Sequence, residues 1–278
     1  MDGLLIDSED IYTICTNTIL REYGKPDLPW SIKAQLQGRP GPAAGAIFQK
    51  WAQLPIDYTE FLRKQAFIQR ELFPNAKPLP GVLQLLSTLD RSGTHLALAT
   101  SSHSGNFKLK SGHLEELFSH FPLRQRVLGD DPRIPPGKGK PAPEIYLVAL
   151  ETVNEKIRAE GTEREITPEE CLVFEDSVPG VEAGRRAGMQ VVWCPHPELL
   201  MEYKGRERAV LAGLTDNGVD AEEEAAKAAE EADVQGGKVE TGEWVKGTPG
   251  KLDDGWATLL ETLEGFPYSQ YGIKIDDI

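Results

Sequence analysis

Four clusters of polar residues carry the chemistry of this sequence, and three of them follow an apolar run of strand length. Thr100, Ser101 and Ser102 follow the run 96–99. Asp130 and Asp131, and then Lys140, follow 127–128, and Glu175 and Asp176 follow 172–174. The fourth cluster, Met1-Asp2-Gly3, opens the chain ahead of Leu4-Leu5-Ile6-Asp7-Ser8-Glu9. Hydroxyls and backbone amides donate to phosphate oxygens, and a lysine adds a point charge. Paired carboxylates hold a hard cation such as Mg²⁺, whose charge offsets repulsion between phosphate and carboxylate. Together these residue types suit a phosphate and Mg²⁺. Lys140 does not belong to a nucleotide loop, because Pro141 stands where Ser or Thr is needed and no GxxxxGK frame exists.

The elements that must position these groups alternate. Short continuous apolar runs at 96–99, 127–128, 171–174 and 191–194 are separated by helical patterns at 142–152 and 181–187. Buried parallel strands with crossover helices read this way, giving an α/β doubly wound parallel sheet. Ligands in such sheets sit beyond the carboxyl ends of the strands, where the polar clusters fall. Residues 8–75 show apolar spacing near 3.6 throughout, so this stretch is expected to be wholly helical. Asp7 and Ser8 are expected to cap its first helix rather than touch substrate. A stretch from 220 to 233 holds seven acids and one base, and glycines follow it. Residues 215–254 are therefore expected to be a poorly packed acidic low-complexity insertion. An amphipathic helix is expected from Trp256, with residues 255–278 forming a C-terminal helix and tail.

Composition excludes several classes. The 278 residues carry 44 acids against 30 bases, a net charge of −14, and a pI near 4.9 argues against nucleic acid as a partner. No apolar run approaches the ~18 residues that a membrane helix needs. Acids rather than bases open the chain, against a secretory signal. Cys15, Cys171 and Cys194 form no CxxC pair and fall within apolar patterns, which fits inert core thiols in a reducing compartment. A cytoplasmic monomer is the expectation.

Four motifs then give a specific resemblance. In chain order they are Met1-Asp-Gly-Leu-Leu-Ile-Asp-Ser-Glu9, Leu98-Ala-Thr-Ser-Ser102, Gly139-Lys-Pro-Ala-Pro-Glu-Ile-Tyr146 and Phe174-Glu-Asp-Ser-Val-Pro-Gly-Val-Glu-Ala-Gly184. They resemble the motifs of the haloacid dehalogenase superfamily, in the branch containing β-phosphoglucomutase and the pseudouridine-5′-phosphatase-like enzymes. The resemblance covers about residues 1–200 and implies a core from residues 1–7 and 79–214, with a helical cap at 8–78. It implies catalytic roles for Asp2, Thr100 and Lys140, and phosphate or substrate contacts from Thr100, Ser101, Lys140, Arg39 and His103. Asp2, Asp176 and Glu175 would be the Mg²⁺ ligands, and Asp130 and Asp131 would either support the metal or end a strand.

The first motif departs from the family pattern. The family carries two aspartates separated by one residue, the first a nucleophile and the second an acid/base followed by Gly. Asp2-Gly3 matches the second, so the nucleophile position and its strand precede Met1. The middle strand of the sheet is therefore expected to be missing or incomplete. The implied activity is hydrolysis of a small phosphorylated metabolite (a sugar, polyol or nucleoside phosphate such as pseudouridine 5′-phosphate) through an aspartyl phosphate. The alternatives are a non-catalytic protein that binds phosphate or metal, and a β-phosphoglucomutase-type mutase.

Overall fold

The computed structural model describes residues 1–214 and 247–275. Residues 8–75 are helical: α1 (Ser8–Glu22), α2 (Trp30–Leu36), α3 (Gly41–Ala52) and α4 (Tyr58–Leu72), closed by a 3₁₀ turn at Phe73–Asn75. Glu9 and Asp10 lie in the first turn of α1, where the helix dipole favours acids. Asp57 caps α4 by accepting from the Glu60 amide at 2.8 Å. Ile19, Leu20, Phe48, Ala52 and Phe61 give these helices a small core of their own.

Two adjacent passes of chain join the helical unit to the rest. The Asp7 amide donates to the Lys77 carbonyl at 3.0 Å, and the Leu79 amide to the Leu5 carbonyl at 3.0 Å. Asp7 does not cap α1. Its carboxylate accepts from the Lys77 amide at 2.7 Å instead and ties the two passes together.

The remaining chain alternates strand and helix. After α5 (Val82–Arg91), β1 (Leu98–Ala99) runs parallel to β2 (Arg126–Val127), with α6 (Ser104–Ser111) and α7 (Glu115–Ser119) between them. Then α8 (Glu144–Glu160) leads to β3 (Leu172–Glu175), α9 (Val178–Arg186) and β4 (Gln190–Trp193). The short helices α10 (Pro197–Glu202) and α11 (Glu207–Ala212) follow. The segment expected to form a helix at Trp256 is instead β5 (Ala257–Leu259), a third parallel strand in the order β3-β4-β5. Beside β4 its apolar residues gain ladder bonds that an amphipathic helix would not make, as between the Leu260 amide and the Trp193 carbonyl at 2.9 Å. Further on, Leu263 and Phe266 are buried and a 3₁₀ turn forms at Tyr268–Tyr271.

Among the described residues, β1-β2 and β3-β4-β5 are two separate hydrogen-bonded sheets. Met1, Leu4, Leu5 and Ile6 are packed into the same core as Leu98, Val192 and the buried face of α5.

The acidic run 220–233 lies outside the described residues. The described end of the expected insertion is packed, however. The buried Arg185 pairs with Asp254, and the Gly250 amide donates to the Ala212 carbonyl at 2.8 Å. Among the described residues, no helix is long and apolar enough to cross a membrane.

Candidate active site

The carboxyl ends of β1 and β3 deliver their residues to one cavity of about 320 Å³, which lies between the sheets and the helical unit. Asp2, Thr100, Ser101, His103, Lys140 and Asp176 line it from the strand side. Across from them stand Glu9, Thr13, Lys33, Gln37 and Arg39 from α1 and the α2–α3 region, with Phe48 and Phe61 behind. Seven of the eight residues to which the resemblance gives catalytic, substrate or metal-ligand roles therefore line one space. The exception is Glu175, one of the three expected metal ligands.

Glu175 is buried and its lone pairs are occupied. Lys140 Nζ and the Tyr146 hydroxyl both donate to Oε1, while Ser177 Oγ donates to Oε2 at 3.0 Å. Burial alone would raise its pKa; the Lys140 ammonium outweighs that and holds the carboxyl down to about 2. In this structure it is paired with Lys140 and does not line the cavity. Ser177 also caps α9, accepting from the Gly180 amide at 3.2 Å.

Asp2, another expected metal ligand, lines the cavity with its carboxylate hydrogen-bonded. Its Oδ1 accepts from Lys110 Nζ at 2.5 Å and from Ser8 Oγ at 2.5 Å, and its Oδ2 accepts from Ser102 Oγ at 2.7 Å. These donors claim the carboxylate. Ser8, expected only to cap a helix, is thus part of the site. Burial disfavours the ionised form of Asp2, but the charge and hydrogen bond of Lys110 prevail and bring its pKa down to about 2.

Lys110 is the functional residue that the sequence reading missed. It lies in the last turn of α6 with its side chain fully buried. Besides Asp2 it donates to Ser102 Oγ at 2.6 Å and to the Tyr12 hydroxyl at 3.2 Å. Its ammonium also lies 5.1 and 5.2 Å from the ring centroids of Tyr12 and Phe73. Its sequence neighbourhood, Lys108-Leu-Lys110-Ser-Gly, looks like an ordinary basic helix end. The one signal was a lysine placed two turns beyond the hydroxyl cluster.

Asp176 stands apart. Trp193 on β4 fixes its backbone by donating from Nε1 to its carbonyl at 3.1 Å. Burial, then the charges of Glu175 and Glu9, push its carboxyl up to about 8. The charges of Lys140 and the N-terminal ammonium oppose this shift without overcoming it. Asp130 and Asp131 are not part of this set. Asp130 accepts from the Ser104 amide and hydroxyl at 2.9 and 2.6 Å at the start of α6, and Asp131 pairs with Arg133 at 2.7 Å. Among the described residues, no three His, Cys, Asp or Glu side chains cluster to hold a metal on their own.

The loop 37–40 closes the cavity from the helical side. Gly38 has φ +75, and a Cβ there would collide with the Ser177 hydroxyl, so only glycine permits this approach. Ser101 Oγ donates to the Gly38 carbonyl at 3.3 Å. Arg39 Nε donates to the Gln35 carbonyl at 3.0 Å while its side chain lines the cavity.

The sequence matches the haloacid dehalogenase-like hydrolase family over residues 1–194. The chain belongs to that family. A Saccharomyces cerevisiae protein named a probable pseudouridine-5′-phosphatase is 43% identical over 213 residues, covering 77% of this chain and 87% of the relative. The (DL)-glycerol-3-phosphatase 2 of Arabidopsis thaliana is 32% identical, covering 78% and 85%. The crystal structure of β-phosphoglucomutase from Clostridium difficile matches with a TM-score of 0.54 and 19% identity, covering 72% and 84%, a likeness of fold.

Proposed function

We propose that this protein is a Mg²⁺-dependent phosphomonoesterase acting on a small phosphorylated metabolite, with residues 8–78 as the cap that closes over the substrate. The observation that carries this reading is the convergence of Thr100, Ser101, Lys140 and Asp176 on one cavity walled by the helical unit. The names of the relatives support phosphate monoesters as the substrate class.

The donor set fits Mg²⁺, which is commonly held by one or two carboxylates together with substrate phosphate and water. Asp176 would supply the carboxylate, and Gln37 Oε1, buried beside it without a hydrogen-bond partner, is a second oxygen in need of a positive neighbour. When bound, Mg²⁺ supplies charge neutralisation at the phosphoryl oxygens.

The chain's own residues do the rest. The Thr100 and Ser101 hydroxyls hold phosphate oxygens, and Lys140, aimed by Glu175, neutralises charge that builds on the phosphoryl group. Asp2, kept ionised by Lys110, is poised as the base that takes a proton from the attacking water. To act as acid toward the leaving oxygen it must first receive a proton, which a phosphomonoester monoanion brings with it. In the motif register the nucleophilic aspartate stands one residue before Met1. Arg39, His103, Lys33 and Glu9 face the leaving group and would select it.

A panel of glycerol phosphate, a hexose phosphate and pseudouridine 5′-phosphate, assayed for Mg²⁺-dependent phosphate release by the chain preceded by an apolar segment ending in Asp immediately before Met1, tests the reading. Hydrolysis of one of them that disappears in Asp176→Asn supports it. Hydrolysis unaffected by Asp176→Asn, or by chelation of the metal, contradicts it.

A further inference from the structure

Gln37 follows α2 directly and reaches from the helical unit to the strand side. Its Nε2 donates to Asp176 Oδ2 at 2.5 Å, whereas its Oε1, equally buried, accepts from nothing. The donor half of the amide therefore occupies the carboxylate that a cation needs, and the acceptor half is wasted. A buried acceptor without a partner is uncommon and calls for an explanation. The backbone around it is pinned by Ser101 on the Gly38 carbonyl, and by Pro40 against Gly139. The amide can turn about its last bond without moving the loop.

Resting on the Mg²⁺ reading above, we propose that Gln37 is a metal-site residue supplied by the cap: with its amide turned over, Oε1 stands where Nε2 now stands and joins Asp176 in facing the cation. The orphaned oxygen then gains a partner, and the N–H that competed for Asp176 Oδ2 is withdrawn. Cation binding and docking of the loop 37–40 become linked, each strengthening the other by the same factor. An amide is suited to this task. It adds a hard oxygen without adding charge to a site where Asp176, Glu175 and Glu9 already repel one another.

The test is Mn²⁺ binding to the 278-residue chain, followed by electron paramagnetic resonance, with amide hydrogen exchange across residues 36–41 as a second readout. Gln37→Leu keeps the volume and removes both amide atoms; it should weaken Mn²⁺ on the order of tenfold, as loss of a residue supporting a metal site does. Gln37→Glu, which keeps an oxygen, should bind Mn²⁺ at least as tightly as the unaltered chain and guards against a folding defect in the leucine variant. Mn²⁺ should slow exchange at 37–40 in the unaltered chain and in Gln37→Glu, but not in Gln37→Leu. Equal or tighter Mn²⁺ binding by Gln37→Leu would mean that the amide only competes with the cation, and would overturn the proposal. Asp176→Asn separates the two claims: if it leaves Mn²⁺ binding intact, or if the unaltered chain binds none, the Mg²⁺ reading itself fails, and this proposal fails with it.

Discussion

Replacing Lys110 by Met removes the cation hydrogen-bonded to Asp2 and leaves its carboxylate with the Ser8 and Ser102 hydroxyls and the more distant charge of the N-terminal ammonium. Breaking a buried ion pair from one side costs about 3–5 kcal/mol, because the remaining charge stays out of water. The pKa gives a second measure. Holding Asp2 at about 2 rather than 3.8 corresponds to roughly 2 kcal/mol at neutral pH. About 3 kcal/mol of unfolding free energy at pH 7 is therefore the expected loss. The sign of its pH dependence follows from the direction of the shift. In the unaltered chain the Asp2 contribution is present above its ordinary pKa and is lost as pH falls toward 2. In Lys110→Met, burial is opposed only by the N-terminal ammonium and the hydroxyl donors, so the Asp2 pKa rises and protonation relieves the variant as the pH drops. The gap between the two should narrow from pH 7 to pH 3. Urea unfolding at several pH values measures it, and Asp2→Asn combined with Lys110→Met should recover most of the loss. A loss below about 1 kcal/mol, or one that does not change with pH, would refute the claim that Lys110 is there to hold Asp2 charged.

Other outcomes are accessible to the same protein. With its carboxyl pushed up to about 8, Asp176 must give up a proton to accept a cation, so Mn²⁺ affinity should rise by up to about tenfold per pH unit from pH 6 toward 8 and then level off; a flat profile in calorimetric titrations would contradict this. Lys140→Met strands Glu175 with only Tyr146 and Ser177, and should cost about 3–5 kcal/mol in chemical unfolding while abolishing any thermal shift produced by inorganic phosphate. Asp254→Ala leaves the buried Arg185 guanidinium without its carboxylate; since Asp254 is partly exposed, a loss of about 2 kcal/mol is expected in thermal or urea unfolding, where an unpacked segment would give none.

Much of this was legible in the residues because strand-end chemistry is written locally. Continuous apolar runs locate β1, β3 and β4, and the polar residues after them reach the cavity because parallel strands open at one edge. The helical character of 8–75 follows from its 3.6-residue spacing in the same way. What could not be read is set by long-range pairing. Trp256-Ala-Thr-Leu-Leu carries a pattern that fits a helix, and only the free edge of β4 makes it a strand. Glu175 and Asp176 are adjacent, yet the alternation of a strand end turns one toward Lys140 and Tyr146 and the other toward the cavity. Lys110 and Gln37 lie 108 and 139 residues from their carboxylate partners, a separation that local pattern does not bridge.

The most direct measurement is Mg²⁺-dependent phosphate release from a generic phosphomonoester by three forms of the protein: the 278 residues alone, the same chain preceded by an apolar segment ending in Asp immediately before Met1, and that extended chain with Asn in place of the added Asp. Turnover is expected only in the second form, and Asp2→Asn there should abolish it. If the 278 residues hydrolyse the ester at the same rate as the extended chain, and lose that activity in Asp2→Asn, then the nucleophile is not the residue before Met1, and the division of roles among Asp2, Lys140 and Asp176 is wrong.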